Sequence, residues 1–399
     1  MLLKLGGLGR LNFETRQVFK QGVIFLLYPT EAACCEMSYS YADIDASVFP
    51  ASYAEARQQW LQRVAALDCS MQLQAFPCSG LGPDGEALIT DSVWLGDADA
   101  ANVVVVLGAT HGIEGFVGSA GQIDLLDSLR AGRVVMPQTS AILLVHALTP
   151  WGYAWLRRCD RDGVDLNRNA VDFSASLPEN PDYKRLREVI FQPDAEQRRQ
   201  AFADYAAQYG RVALEQGISG GQYADSEGPF YGGRAPAHGR LVCEALISKY
   251  ALQQRRLAVI DLHSGLGPYG YGEIICDHRP DSPGAAVAKR WYGDSVTLPL
   301  AGTSSSVPKL GLLDYLWHAA MTPESCYVTL EFGTFSTDRL FETLLRDHLI
   351  WAQGGNGAER QANAQLMLAH FCPAATAWRE MVLFRIRQVI GQALPGVSV

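Results

Sequence analysis

The stretch Val103-Val104-Val105-Val106-Leu107-Gly108-Ala109-Thr110-His111-Gly112-Ile113-Glu114-Gly115 decides the fold class. Its first five residues form a continuous apolar run, as expected of a strand covered by helices on both faces. Leu257-Ala258-Val259-Ile260-Asp261-Leu262 repeats that pattern. On either side of these two runs, further strands are expected at 72–77, 87–95, 142–146, 273–276 and 327–332. Helices are expected at 53–67, 118–129, 195–216, 237–254, 284–292, 311–319, 337–353 and 376–393. This alternation predicts a three-layer α/β domain.

The 399 residues carry 33 Lys+Arg against 42 Asp+Glu, a formal net charge of −9. An acidic balance without a basic run argues against nucleic acid as a partner. No apolar stretch approaches the ~18 residues of a membrane span, and Val23 to Tyr28 is too short for a secretory core. The nine cysteines are odd in number and show no C-x-x-C spacing, so they read as reduced thiols of a cytoplasmic protein. Residues 1–36 lack helical or strand periodicity and precede a second methionine, Met37. They are expected to be a poorly ordered or non-native extension. Residues 37–399 then form one catalytic domain, with a helical, Gly-rich insertion at about 172–235.

Three polar clusters follow predicted strands, where open α/β sheets place their active sites. His111-x-x-Glu114 supplies an imidazole and a carboxylate, both ordinary zinc ligands, although the spacing alone is weak. Asp261-Leu262-His263-Ser264 adds a histidine that would complete a His₂Glu set with a fourth position open for water. Read alone, His263 is also compatible with a hydrogen-bonded histidine at a strand end. Glu331 interrupts the apolar run 326–332, and a buried carboxylate needs a cationic partner or a catalytic task. Beside a zinc-bound water it could serve as general base. Between the first two clusters, Arg157 to Asn169 packs four arginines into twelve residues. Arginine suits a substrate carboxylate or a developing oxyanion, while a solvated, salt-bridged loop is the plainer alternative.

Taken in order, His111-x-x-Glu114, Gly163-Val164-Asp165-Leu166-Asn167-Arg168-Asn169, Asp261-Leu262-His263-Ser264 and Thr329-Leu330-Glu331-Phe332 resemble the M14 zinc carboxypeptidase superfamily. Ala109 to Ser119, Tyr153 to Arg158 and Asp261 to Gly272 resemble its DUF2817 branch, over roughly residues 37–395. The resemblance implies a mixed central sheet with helices on both faces and one Zn2+ per chain on His111, Glu114 and His263. It further implies Glu331 as the base and Arg158 beside the scissile carbonyl. Asn167 and Arg168 would hold a substrate carboxylate, Ser264 would lie along the substrate, and Leu313 would line an apolar specificity pocket. Asp165 would hydrogen-bond the first zinc histidine. The implied activity is hydrolysis of an amide bond next to a free carboxylate, in a small peptide or in an N-acyl amino acid as in the desuccinylase/aspartoacylase branch. A binding protein that kept the fold without catalysis is the alternative from another class.

Two departures bear on peptide specificity. Serines 304–306 stand where the carboxypeptidase tyrosine would fall, leaving Tyr231, Tyr269 or Tyr271 as substitutes. Asp160 stands where relatives often carry asparagine.

Overall fold

The computed structural model describes residues 18–20, 23–25 and 39–398. The expectation for residues 1–36 therefore falls largely outside the described residues, as do Cys34, Cys35 and Met37. Strands β1 (Val18–Lys20) and β2 (Val23–Phe25) pair antiparallel with each other.

The domain is built on one sheet of eight strands. In chain order these are β3 (Met71–Leu81), β4 (Ala87–Leu95), β5 (Asn102–Gly108), β6 (Ser140–His146), β7 (Arg256–Ser264), β8 (Gly272–Ile275), β9 (Val296–Thr297) and β10 (Cys326–Phe332). Their spatial order is β3-β4-β6-β5-β7-β10-β8-β9. The central strands β6, β5, β7 and β10 run parallel, while β3, β4 and the β10–β8 pair are antiparallel, so the sheet is mixed as expected.

The parity of side chains along β5 explains the three layers. Val104 and Val106 face one core, packed beneath α1 (Tyr53–Ala65), α2 (Gly115–Arg130), α8 (Pro283–Tyr292) and α12 (Thr376–Ser398). Val103, Val105 and Leu107 face a smaller core under α7 (His238–Lys249) and α9 (Asp314–Ala320). The remaining helices are α3 (Pro150–Ala154), α4 (Pro181–Ile190), α5 (Ala195–Tyr209), α6 (Arg211–Ser219), α10 (Thr337–Ala352) and α11 (Gly357–Phe371). Among the described residues, no helix is long and apolar enough to cross a membrane.

Several elements differ from expectation. The single helix expected over 195–216 is two, because Gly210 takes φ +94° between α5 and α6 and the helix cannot continue through it. The helix expected from 311 begins at Asp314, since Gly311 takes φ +65°. Helix α4 falls in the insertion expected to be helical, whereas α3 and α11 were not anticipated, although Asn356 and Glu359 form a reciprocal capping box at the start of α11. All seven described cysteines are free, as their spacing suggested, and five of them are buried.

Candidate metal centre

The site forms at the C-terminal ends of β5, β7 and β10. Beyond Gly108, Ala109 takes φ +58° and turns the chain into a single 3₁₀ turn, Gly112–Glu114. The amides of Gly112 and Ile113 donate to the carbonyls of Arg158 and Arg157 at 2.9 and 2.8 Å, tying this turn to the arginine segment. Only glycine fits at 112, because a Cβ there would stand 2.2 Å from the Gly152 carbonyl carbon.

His111, Glu114 and His263 are all buried, and one ligand atom from each falls within 4.8 Å of the others. Glu114 bridges the imidazoles, with Oε1 2.8 Å from His111 Nδ1 and Oε2 3.0 Å from His263 Nδ1. The Ser264 amide donates to the same carboxylate at 3.1 Å. Both Nδ1 atoms thus face a common centre, and both Nε2 atoms are backed by buried aspartates. Asp165 Oδ1 lies 3.2 Å from His111 Nε2, and Asp261 Oδ2 lies 2.7 Å from His263 Nε2. Two imidazoles and one carboxylate, each imidazole oriented through its other nitrogen by a carboxylate, is a donor set suited to zinc.

Electrostatics reinforce the arrangement. Burial alone would raise the Glu114 carboxyl, but the His111 and His263 imidazoles overcome it and hold that group well below the usual carboxylate range. Asp165 is likewise held far down, its burial outweighed by Arg158 and His111. His263 is pushed upward because Asp261 and Glu114 outweigh its burial.

Glu331 sits beside His263 in the parallel β7–β10 register, so the two side chains leave the sheet on the same face. Its Oε1 accepts the Leu266 amide at 3.1 Å. Burial, followed by the charge of Glu114, pushes its carboxyl up to about 8.

Arg158 rests against this same group. Nε donates to Asp165 at 2.9 Å, Nη1 to Glu114 at 3.3 Å, and Nη2 comes within 2.6 Å of His111 Nε2. Arg168 is fully buried, with Nε and Nη2 donating to the Ser219 carbonyl at 3.1 and 2.7 Å and Nη1 to the Asn167 carbonyl. Burial lowers its guanidinium to about 10. The ring of Phe230 lies 5.1 Å from the Arg158 guanidinium and 5.5 Å from that of Arg168, a cation–π bracket.

One cavity collects these groups. It has a volume of about 90 Å³ and is lined by His111, Glu114, His263, Glu331, Arg158 and Arg168, with Asn167 and Ser264 among its other neighbours. The segment 172–235 reaches it through Glu215, Ser219 and Phe230.

Other expected residues are placed differently. Leu313 does not reach the cavity: it is fully buried in the smaller core, and Leu312 lines the cavity instead. The Leu313 amide donates to Asn167 Oδ1 at 2.8 Å, which orients that amide side chain. The Ser264 hydroxyl turns away to the Phe371 carbonyl at 2.7 Å. Tyr269 and Tyr271 are exposed and Tyr231 is buried, and none of the three is among the cavity-lining residues. The serines at the tyrosine's expected place are anchors. Ser304 Oγ and the Ser305 amide donate to Glu273 Oε1 at 2.7 and 3.1 Å, and the Ser305 hydroxyl donates to the other carboxylate oxygen. Asp160 folds its own loop, accepting the Asp162 and Val164 amides at 2.9 and 2.8 Å.

Sequence reasoning missed Asp261 and Phe230. For Asp261 the signal was present, since residues two apart on a strand share a face. Phe230 carries no local signal, because only the tertiary fold brings it to the arginines.

The family model described as "Protein of unknown function (DUF2817)" matches residues 49–385. No curated protein sequence matches the chain. Among solved structures, it is similar to a carboxypeptidase A from Helicoverpa armigera, at 15% identity and TM-score 0.47, covering 85% of this chain and 78% of that one. It is also similar to a murein-tripeptide amidase from Escherichia coli O157, at 18% identity and TM-score 0.35, covering 73% and 95%. A third is a succinylglutamate desuccinylase from Chromobacterium violaceum, at 15% identity and TM-score 0.30, covering 79% and 74%.

Proposed function

We propose that this chain, which belongs to the DUF2817 family, is a single-zinc hydrolase that cleaves an amide bond next to a free carboxylate. The observation that carries this reading is the convergence of His111, Glu114 and His263 ligand atoms at one cavity that Glu331 also lines. Zinc bound there would supply the Lewis acidity that brings a coordinated water's pKa from 15.7 toward about 7.

The protein's own groups do the rest. Glu331 takes the proton from the attacking water and passes it to the departing amine nitrogen. Its raised proton affinity suits both halves of that transfer, and a neighbouring cation would lower that affinity by favouring the charged carboxylate. Arg158 turns an N–H toward the developing oxyanion while Asp165 holds its Nε. Arg168 and Asn167 receive the substrate carboxylate, fixing the scissile bond in place. In this reading residues 37–399 are one catalytic domain, and the segment 172–235 is part of its substrate wall.

Two substrate classes share this chemistry, a C-terminal residue of a small peptide and an N-acyl amino acid. The small cavity favours compact substrates, because its volume of about 90 Å³ lies well below the ~300–1,000 Å³ of sites for drug-sized ligands. Hydrolysis of a mixed panel of short peptides and N-acyl amino acids, with and without chelator, tests the reading. Chelator-sensitive release of an amino acid supports it; release that survives complete metal removal contradicts it.

A further inference from the structure

Asp277 and Lys309 have no role in the chemistry proposed above, yet both line the same cavity as His111 and Glu331. Asp277 lies just past β8, in alternation with Glu273 and Ile275. Among the described residues it makes no side-chain hydrogen bond or ion pair; around it stand Lys309, Arg168, Glu273 and His263, and the buried Asp314, whose carboxyl burial and then the charge of Asp277 push far up toward the protonated form. Lys309 Nζ donates only to neutral groups, the Ser306 hydroxyl and the Val307 carbonyl at 2.8 Å. Its charged surroundings are Arg168, Asp277, Arg158 and Glu331. Both side chains are half-buried. A half-buried anion and cation that are not joined to each other are costly to retain without a ligand.

Charge arithmetic narrows that ligand. Glu273 lies outside the cavity lining and its carboxylate is engaged by Thr297, Ser304 and Ser305. Arg168, Lys309 and Asp277 then sum to one positive charge, which the substrate carboxylate neutralises. An apolar side chain entering the pocket would strip water from both Asp277 and Lys309 and return nothing. An acidic one would satisfy Lys309 but face Asp277, and a basic one would satisfy Asp277 but face Lys309 and Arg168. A neutral group with a donor and an acceptor side by side satisfies both, and the cavity volume of about 90 Å³ favours a compact one. The geometry points to a specificity pocket in which Asp277 accepts from, and Lys309 donates to, a primary carboxamide on the side chain of the leaving amino acid. This assignment rests on the hydrolase reading and names its substrate class. It also replaces the apolar pocket expected from Leu313, whose side chain is buried elsewhere.

The test uses the zinc-loaded full chain and two substrate series, benzoylglycyl-X and acetyl-X, with X glutamine, leucine, glutamate or lysine. Calorimetric binding of the four free amino acids accompanies it. Glutamine is expected to exceed each of the others at least tenfold in kcat/KM and in affinity. In the double variant Asp277→Leu/Lys309→Met, glutamine should lose at least tenfold while leucine rises to match or exceed it, a gain that a misfolded protein cannot show. Equal handling of the four side chains, binding of none of them, or an unchanged glutamine-to-leucine ratio in the variant would overturn the pocket. Selective glutamine binding without turnover of any substrate would uphold the pocket and count against the hydrolase reading instead.

Discussion

The Asp261 carboxylate lies 2.7 Å from His263 Nε2, two positions back on the same strand and wholly buried. It also accepts the Tyr327 hydroxyl at 2.7 Å and the Thr110 hydroxyl at 2.9 Å, so its place is fixed from three elements. Such support fixes the imidazole tautomer and leaves Nδ1 free for a metal. Asp261→Asn should weaken zinc binding about 10–100-fold, and Asp165→Asn by a similar factor. Competition against a chelating dye measures this directly, and wild-type affinity in both variants would contradict the role.

Glu331 separates metal binding from chemistry. Glu331→Gln should keep zinc near wild-type stoichiometry while kcat falls by roughly 10²–10⁴. Metal analysis and steady-state rates on one preparation check it. Substantial turnover in that variant would remove Glu331 from the base role.

The raised Glu331 carboxyl also predicts how metal-free stability depends on pH. An acid whose folded pKa lies above its unfolded value of 4.5 holds its proton more tightly when folded, so it stabilises at low pH. That contribution is complete below about 4.5 and is lost as pH rises through about 8. Metal-free Glu331→Gln should therefore gain on wild type between those limits, by up to about 1.4 kcal/mol per pH unit. Denaturant melts at pH 4 and pH 8 compare the two proteins; an unchanged difference would contradict the shift.

A stability prediction comes from the far side of the sheet. Arg387 is fully buried on α12 and pairs bidentately with Asp124 of α2 at 2.6 and 2.8 Å. It also donates to the carbonyls of Ser40, Ala42 and Asp43, fastening the start of the described domain to its last helix. Arg387→Ala leaves the Asp124 charge unpaired and should cost about 3–5 kcal/mol, read as a lower denaturant midpoint.

How far the sequence could be read follows from what each signal depends on. The apolar runs 103–107 and 257–262 are strands because they are buried on both faces, a property that one segment displays by itself. The convergence of His111, Glu114 and His263 was legible because each lies at or beyond the end of such a run. Leu313 was misassigned by one residue, since the turn before α9 points Leu312 inward and Leu313 into the core, and no periodicity governs a turn. The break at Gly210 was legible in principle, as glycine is the residue that tolerates φ +94°. The contacts of Ser219 and Phe230 with Arg168 were not, because segments some 50 residues apart meet only after folding.

In the proposed hydrolase, His111, Glu114 and His263 bind one zinc that the hydrolysis requires. The direct measurement is zinc stoichiometry and amide hydrolysis on metal-stripped protein titrated with Zn2+, beside His263→Ala. One tightly held zinc per chain is expected, with activity restored in step with it, and neither in the variant. Zinc taken up equally by wild type and His263→Ala, or hydrolysis indifferent to the metal, would contradict it.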